Sequence, residues 1–184
     1  RYDRNIRIPG FGEEGQRRLE AARVLVAGLG GLGSPAACYL AAAGVGCLGL
    51  LDCDDVEESN LQRQILHRTA DIGRPKSESA AEALAALNPG VRLEPCRLRL
   101  DTANGPGLLA GYDAVIEAAD NFETKFLIND LCLELGIPFA TAGILSMSGH
   151  GLFVAPGQTA CLRCVVSEPR QNPATTAEFG VLGA

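Results

Sequence analysis

Residues 23–35 read R-V-L-V-A-G-L-G-G-L-G-S-P. Arg23 to Ala27 is a short apolar, β-branched run, the composition of a buried strand. It passes directly into G-L-G-G-L-G at 28–33, and Ser34-Pro35 then opens an Ala-rich segment reaching Ala43, with proline at a first-turn position where no backbone donor is wasted. Strand, glycine loop and helix follow one another in the order that G-x-G-x-x-G requires, with Gly28, Gly30 and Gly33 in the fingerprint positions. Such a turn lets backbone approach a phosphate without a Cβ in the way, and it presents the N–H groups and positive end of a helix to the anion. A second apolar run, Cys47 to Leu51, ends at Asp52, about 20 residues beyond the loop, where a carboxylate grips a ribose in folds of this kind.

Outward from this unit the pattern repeats. Residues 12–22 read as a polar helix and 53–74 as irregular and polar. A helix follows Pro75 to about Leu87, stopped by Asn88-Pro89-Gly90. Strands are expected at 91–98, 113–117 and 137–141, with a helix over 121–135 ending at Gly136. A last strand, 150–155, lies in a glycine-rich hairpin context. Alternating strands and helices predict an α/β fold: a Rossmann-like, doubly wound, mostly parallel sheet with an antiparallel C-terminal extension. From Pro156 onward the periodicity is lost.

The 184 residues are 47% hydrophobic and 21% charged, enough to build a core and too apolar for global disorder. A net charge of −6 argues against a general nucleic-acid or anionic-membrane binder. No apolar run reaches the ~18 residues of a membrane span, and Arg1-Tyr2-Asp3-Arg4 is not the start of a signal peptide. The chain opens on Arg rather than Met, as expected of a piece of a longer product. Seven cysteines, mostly among apolar residues, read as reduced thiols of a cytoplasmic protein. Cys38, Cys47 and Cys132 read as core, and only Cys161 and Cys164 form a pair. Among 16 cationic residues only Lys76 and Lys125 are lysines.

The glycine loop leaves two nucleotide chemistries open, a dinucleotide oxidoreductase and a triphosphate enzyme. A triphosphate carries more charge and normally needs cations and a metal. The segment after Asp52 offers Asn60, Arg63 and Lys76, and Asp120-Asn121 stand at the carboxyl end of the fourth strand, where sheet ligands bind and a carboxylate can carry Mg²⁺. That set favours the triphosphate.

Six ordered segments together resemble the ThiF/MoeB/HesA family: R-Y-D-R-N-I at the start, the glycine loop, L-L-D-C-D, S-N-L-Q-R-Q at 59–64, G-R-P-K at 73–76 and A-D-N-F-E-T-K at 119–125. The resemblance spans essentially the whole chain. It implies an adenylyltransferase that uses ATP and Mg²⁺ to activate the C-terminal glycine carboxylate of a small ubiquitin-like sulfur-carrier protein ending in Gly-Gly, for thiamine or molybdopterin synthesis, and that works as a homodimer. Carried over by motif, Gly31 approaches the phosphates and Asp52 the ribose. Ser59, Asn60, Leu61, Gln62 and Arg63 line the nucleotide, Lys76 holds the triphosphate and Asp120 the magnesium, with Asn121 beside it. Arg4 reaches the ATP of the other subunit.

Cys161-Leu162-Arg163-Cys164 has the spacing of half a tetrahedral zinc site. In the family a second C-x-x-C follows further along the chain. Residues 1–155 are therefore expected to form the ATP-binding domain and 156–184 the start of a truncated zinc-binding or crossover segment. Thr176 falls where some family members carry a sulfur-transfer cysteine, which sets covalent chemistry there apart from adenylation. Lys125 reads as a solvated or ion-paired surface group, Asp54 and Asp55 as loop acids, and His67 and His150 as too far apart and too alone to be ligands. The rival readings are an NAD-binding oxidoreductase and a relative that adenylates another carboxylate, such as one on modified tRNA.

Overall fold

A computed structural model describes residues 1–166. Its six-stranded sheet comprises β1 (Arg23–Ala27), β2 (Cys47–Leu51), β3 (Arg92–Cys96), β4 (Ala114–Glu117), β5 (Phe139–Leu145) and β6 (Ser148–Val154), in the spatial order β3-β2-β1-β4-β5-β6. All neighbours are parallel except β5 and β6, which pair antiparallel from Phe139↔Val154 to Leu145↔Ser148. The expected doubly wound sheet with an antiparallel end is therefore present.

Alternation along β1 builds the two layers. Val24 and Val26 face one core with Leu48 and Leu50, under α3 (Gly33–Ala43) and α4 (Lys76–Leu87). Small residues at that contact, Ala37, Ala41 and Ala80, have no exposed surface and let the helices lie close to the sheet. Leu25 and Ala27 face the opposite core with Val115. It is covered by α5 (Gly105–Leu109) and α6 (Phe122–Leu135), which contribute Leu109, Ile128 and Leu131.

The connection from β3 to β4 crosses from one edge of the sheet to its middle, and it carries α5, which the sequence pattern had not suggested between two adjacent strands. The helix is G-P-G-L-L, a composition that reads as a turn, with proline in its first turn. Also missed are α1 (Asp3–Ile6), α7 (Leu162–Val165) and two 3₁₀ turns, Glu58–Asn60 and Thr69–Asp71. β5 runs on to Leu145, beyond its expected end at 141, and β6 begins at Ser148 rather than 150; the glycines inside them, Gly143, Gly149 and Gly151, weaken the strand signal there. Pro95 is tolerated in β3 because that strand is an edge. No helix among the described residues is long and apolar enough to cross a membrane.

Because β1 is flanked by β2 on one side and β4 on the other, the connections leaving the carboxyl ends of β1 and β4 diverge. A crevice opens between them, the position where open α/β sheets take their ligands.

Candidate functional site

The crevice is a cleft of about 750 Å³. Gly28, Gly30, Gly31, Asp52, Arg63, Lys76, Asp120 and Asn121 all border it, so half of the nominated residues meet there, from the glycine loop, the end of β2, the segment after it, the start of α4 and the end of β4.

The glycine loop is shaped by close approaches. Gly28 has φ +95°, and a Cβ there would lie 2.7 Å from the Ala118 carbonyl oxygen. A Cβ on Gly33 would fall 1.8 Å from the Gly28 oxygen, so Gly33 packs under the loop rather than lining the cleft. The N-terminus of α3 has no side-chain cap, but its Ser34 N–H already donates to the Gly30 carbonyl at 2.9 Å and Pro35 has no N–H, so the donors offered to a ligand are those of the glycine loop itself. Asp52 fixes the loop from β2: its Oδ2 accepts from the Leu29 N–H at 2.8 Å and its Oδ1 from the Asp54 N–H at 2.9 Å. A carboxylate has about four acceptor positions, so room remains for hydroxyl donors.

The long segment after β2 returns to its own origin. Val56 N–H donates to Arg74 O, and Lys76 N–H to Asp54 O at 3.0 Å. Lys76 thus begins α4 beside Asp54, and its Nζ lies 3.2 Å from Asp54 Oδ2. Lys76 is buried, whereas Asp54 is exposed and borders the cleft, a role beyond that of a loop acid. Arg63 is half-buried and donates to Ser59 O at 3.2 Å. Ser59, Asn60, Leu61 and Gln62 do not border the cleft. The Asn60 amide is used locally, accepting from the Glu57 N–H. Gln64 was missed: it is buried, borders the cleft near Gly30, and its Oε1 has no partner. The second Gln of S-N-L-Q-R-Q was the available signal.

His67 is a buried residue held at both ring nitrogens. Its Nε2 lies 3.2 Å from the Leu29 carbonyl and its Nδ1 2.9 Å from Ser79 Oγ. The carbonyl can only accept, so Nε2 carries the proton and the Ser79 hydroxyl donates to Nδ1. Burial lowers the imidazole below its ordinary 6.5. The unfolded chain therefore binds a proton that the folded one refuses. The stability that neutral His67 contributes is complete above the unfolded value and is lost as pH falls below it. Thermal melts between pH 7.5 and 5.5 are expected to show a drop in Tm that His67→Gln flattens; equal slopes in the two proteins would refute this.

At the end of β4, Asp120 is exposed and has no hydrogen bond or ion pair among the described residues. Asn121 caps α6, its Oδ1 accepting from the Thr124 N–H at 2.9 Å. Lys125 is ion-paired, one of the two expected alternatives, but it is not at the surface. It is buried, its Nζ lies 2.8 Å from Glu117 Oε2 and 2.6 Å from the Ala142 carbonyl, and it borders the cleft. Glu117 sits in a predicted strand and carried no motif, so nothing in the sequence marked it. His150, on β6, forms part of the far wall.

Two nominated groups lie elsewhere. Arg4 is exposed on α1 and does not border the cleft. Nearby Tyr2 accepts from Asn88 Nδ2 and packs on Gly44, at the ends of α4 and α3 remote from the glycine loop. Cys161 and Cys164 face each other with sulfurs 3.7 Å apart. Two thiolates on one tetrahedral zinc, with Zn–S of ~2.3 Å, stand about 3.8 Å apart, so the pair fits half such a site. Burial raises the Cys161 thiol, but hydrogen bonds from Cys164 outweigh it and leave the thiol below its usual range. Leu162 is buried, its N–H donates to Asn129 Oδ1, and Arg163 makes a two-point ion pair with Asp130, so this segment is fastened to α6. The core thiols behave as expected: Cys132 is fully buried and pushed up to about 12, Cys47 is buried, and Cys38 is half-buried against the α3–α4 core. Thr176 lies outside the described residues.

The model of the ThiF family matches residues 2–184. The SAMP-activating enzyme E1 of Haloferax volcanii is 46% identical over 187 residues, covering 99% of this chain and 69% of the relative. The probable adenylyltransferase/sulfurtransferase MoeZ of Mycobacterium tuberculosis is 47% identical over 150 residues, covering 82% of this chain and 38% of its own length. Among solved structures, E. coli MccB with ATP superposes with a TM-score of 0.76 at 28% identity, covering 81% of this chain and 46% of that one. The chain thus spans less than half of MoeZ and of MccB.

Proposed function

The chain belongs to the ThiF family, and from that premise we propose that it adenylates the C-terminal glycine carboxylate of a ubiquitin-like sulfur-carrier protein with ATP, releasing pyrophosphate. The observation that carries this reading is the convergence of Lys76, Arg63 and Asp120 on the glycine loop and the uncapped start of α3. Relatives are named for the same chemistry: an E1 that activates SAMP and an adenylyltransferase/sulfurtransferase. Nothing in the comparisons favours an oxidoreductase or a tRNA-directed relative.

The reaction asks for charge handling rather than proton transfer. A terminal carboxylate with pKa ~3.3–3.7 is ionised at pH 7 and needs no base to attack. One carboxylate oxygen bonds to the α-phosphorus while the bond from that phosphorus to the pyrophosphate oxygen breaks, and the electron pair leaves with pyrophosphate. Arg63, Lys76 and the N–H groups of the glycine loop neutralise what accumulates on the leaving group. Asp52 orients the ribose. Asp120, exposed and unpaired, suits a hard divalent cation, and Mg²⁺ bound there would shield the phosphates from one another.

Arg4 belongs to the same proposal as a group donated between subunits of a homodimer, since Tyr2 anchors its segment away from this chain's own cleft. Cys161 and Cys164 would hold half of a structural zinc site, with 156–184 as the start of that segment beyond an ATP-binding domain of 1–155. The protein would act in the cytoplasm, where its ATP and carrier are found.

The test is isotope exchange between pyrophosphate and ATP. With a ubiquitin-fold protein ending in Gly-Gly, exchange is expected to depend on the carrier and on Mg²⁺, and to vanish when the carrier's last glycine is removed. Exchange independent of any carrier, or NAD binding without ATP binding in calorimetry, would refute the reading.

A further inference from the structure

We propose that Lys125 and Glu117 form a buried clamp that positions the β5–β6 hairpin as the wall of the cleft against which the acceptor carboxylate is held. The kinetic half of this proposal rests on the adenylation reading; the structural half does not.

The need for a clamp follows from the strand lengths. β4 stops at Glu117, whose partner on β5 is Thr141. β5 continues to Leu145 with only β6 beside it, so from Ala142 onward one side of the strand has lost its ladder. That is the stretch where Gly143 and Ile144 line the cleft opposite the glycine loop. The first carbonyl beyond the ladder, that of Ala142, is taken by Lys125 Nζ at 2.6 Å. A lysine from α6 substitutes for the missing strand.

Glu117 makes the clamp two-sided. It is fully buried, and its Oε2 accepts from both Lys125 Nζ and Thr141 Oγ1. Its Oε1 accepts from the Ala119 N–H at 2.7 Å, the residue immediately before Asp120. One carboxylate therefore fixes the turn that carries Asp120 and, through Lys125 and Thr141, the wall facing it. A shift of the hairpin would change the distance between the bound carboxylate and the α-phosphorus, which catalysis by positioning does not tolerate. Removing Lys125 alone would strand a buried charge, so the informative variant replaces both partners.

The experiment compares wild type with the double variant Glu117→Gln/Lys125→Met by hydrogen exchange and by carrier-dependent pyrophosphate exchange. In the double variant the amides of residues 142–150 are expected to exchange at least about tenfold faster, with those of β1 unchanged. The kcat is expected to fall at least about tenfold while the affinity for ATP alone stays within about threefold. Lys125→Arg, which keeps the charge and two donors, is expected to recover most of the kcat. Thr141→Val, which removes one hydroxyl from the same oxygen, is expected to loosen the hairpin by a smaller factor. Unchanged hairpin exchange in the double variant overturns the clamp whatever the activity does, and faster hairpin exchange with unchanged kcat overturns its role in positioning. Wild type without carrier-dependent exchange refutes the adenylation reading instead, and the hairpin amides then judge the clamp alone.

Discussion

Lys76→Ala is expected to lower carrier-dependent pyrophosphate exchange by about 10²–10³ in kcat, the range seen when one preorganised donor to a developing charge is removed, equivalent to ~2.7–4 kcal/mol. The reason lies in how poorly the residue is placed for stability. Lys76 opens α4, where the helix dipole is positive and repels a cation. Its ion-pair partner, Asp54, is mostly solvent-exposed, and such a pair contributes at most about 1 kcal/mol. A cation held in an unfavourable position beside a cleft is of use to an anion that arrives there. Removing it should therefore leave the fold almost unaffected. The expected signature is separation of the two readouts: Tm unchanged or slightly raised, exchange nearly lost, and ATP affinity weakened. A variant that loses exchange only in proportion to a fall in Tm would make Lys76 a structural residue.

The same contrast explains what the sequence made legible. The glycine loop, Asp52, Lys76 and Asp120 sit at strand ends and helix starts, and these junctions have sharp signatures: apolar run, glycine, helix opener. The structure places them around one cleft accordingly. The parts that stayed hidden depend on contacts across distant segments. Helix α5 exists because the chain must cross from β3 to β4 over the second core, and G-P-G-L-L carries no helical period of its own. Lys125 read as a surface group because it is a charged residue four positions after Asn121 at a helix start; the approach of Glu117 and Ala142, which no local pattern shows, gives it buried partners. The packing role of His67 was hidden because its partners, Leu29 and Ser79, are 38 and 12 residues away. Gln64 is different: it stood next to a nominated arginine, and its unpartnered oxygen becomes meaningful only once the cleft is seen.

Asp120→Asn is the second large effect, and it distinguishes charge from shape. The substitution keeps the size and one oxygen but removes the negative charge. Asp120 is exposed and bonds to nothing among the described residues, so folding does not depend on it. Asn121, not Asp120, caps α6, so the helix start is retained as well. What the variant loses is a hard anionic oxygen at the carboxyl end of β4, facing the cationic side of the cleft where Lys76 and Arg63 converge. Alone, this carboxylate would repel the phosphates, and a negative group at such a place is useful only with a divalent cation between them. Two outcomes follow. With saturating Mg²⁺ the exchange rate is expected to fall by at least about 10²-fold, by analogy with the loss of a transition-state charge partner. The Mg²⁺ concentration for half-maximal activity is expected to rise, whereas binding of ATP in EDTA should be unchanged or tighter, because a repulsive charge has gone. If Asp120→Asn keeps the wild-type Mg²⁺ dependence, or binds metal-free ATP more weakly, the carboxylate is not the metal's anchor, and the divalent ion must be held elsewhere in the cleft.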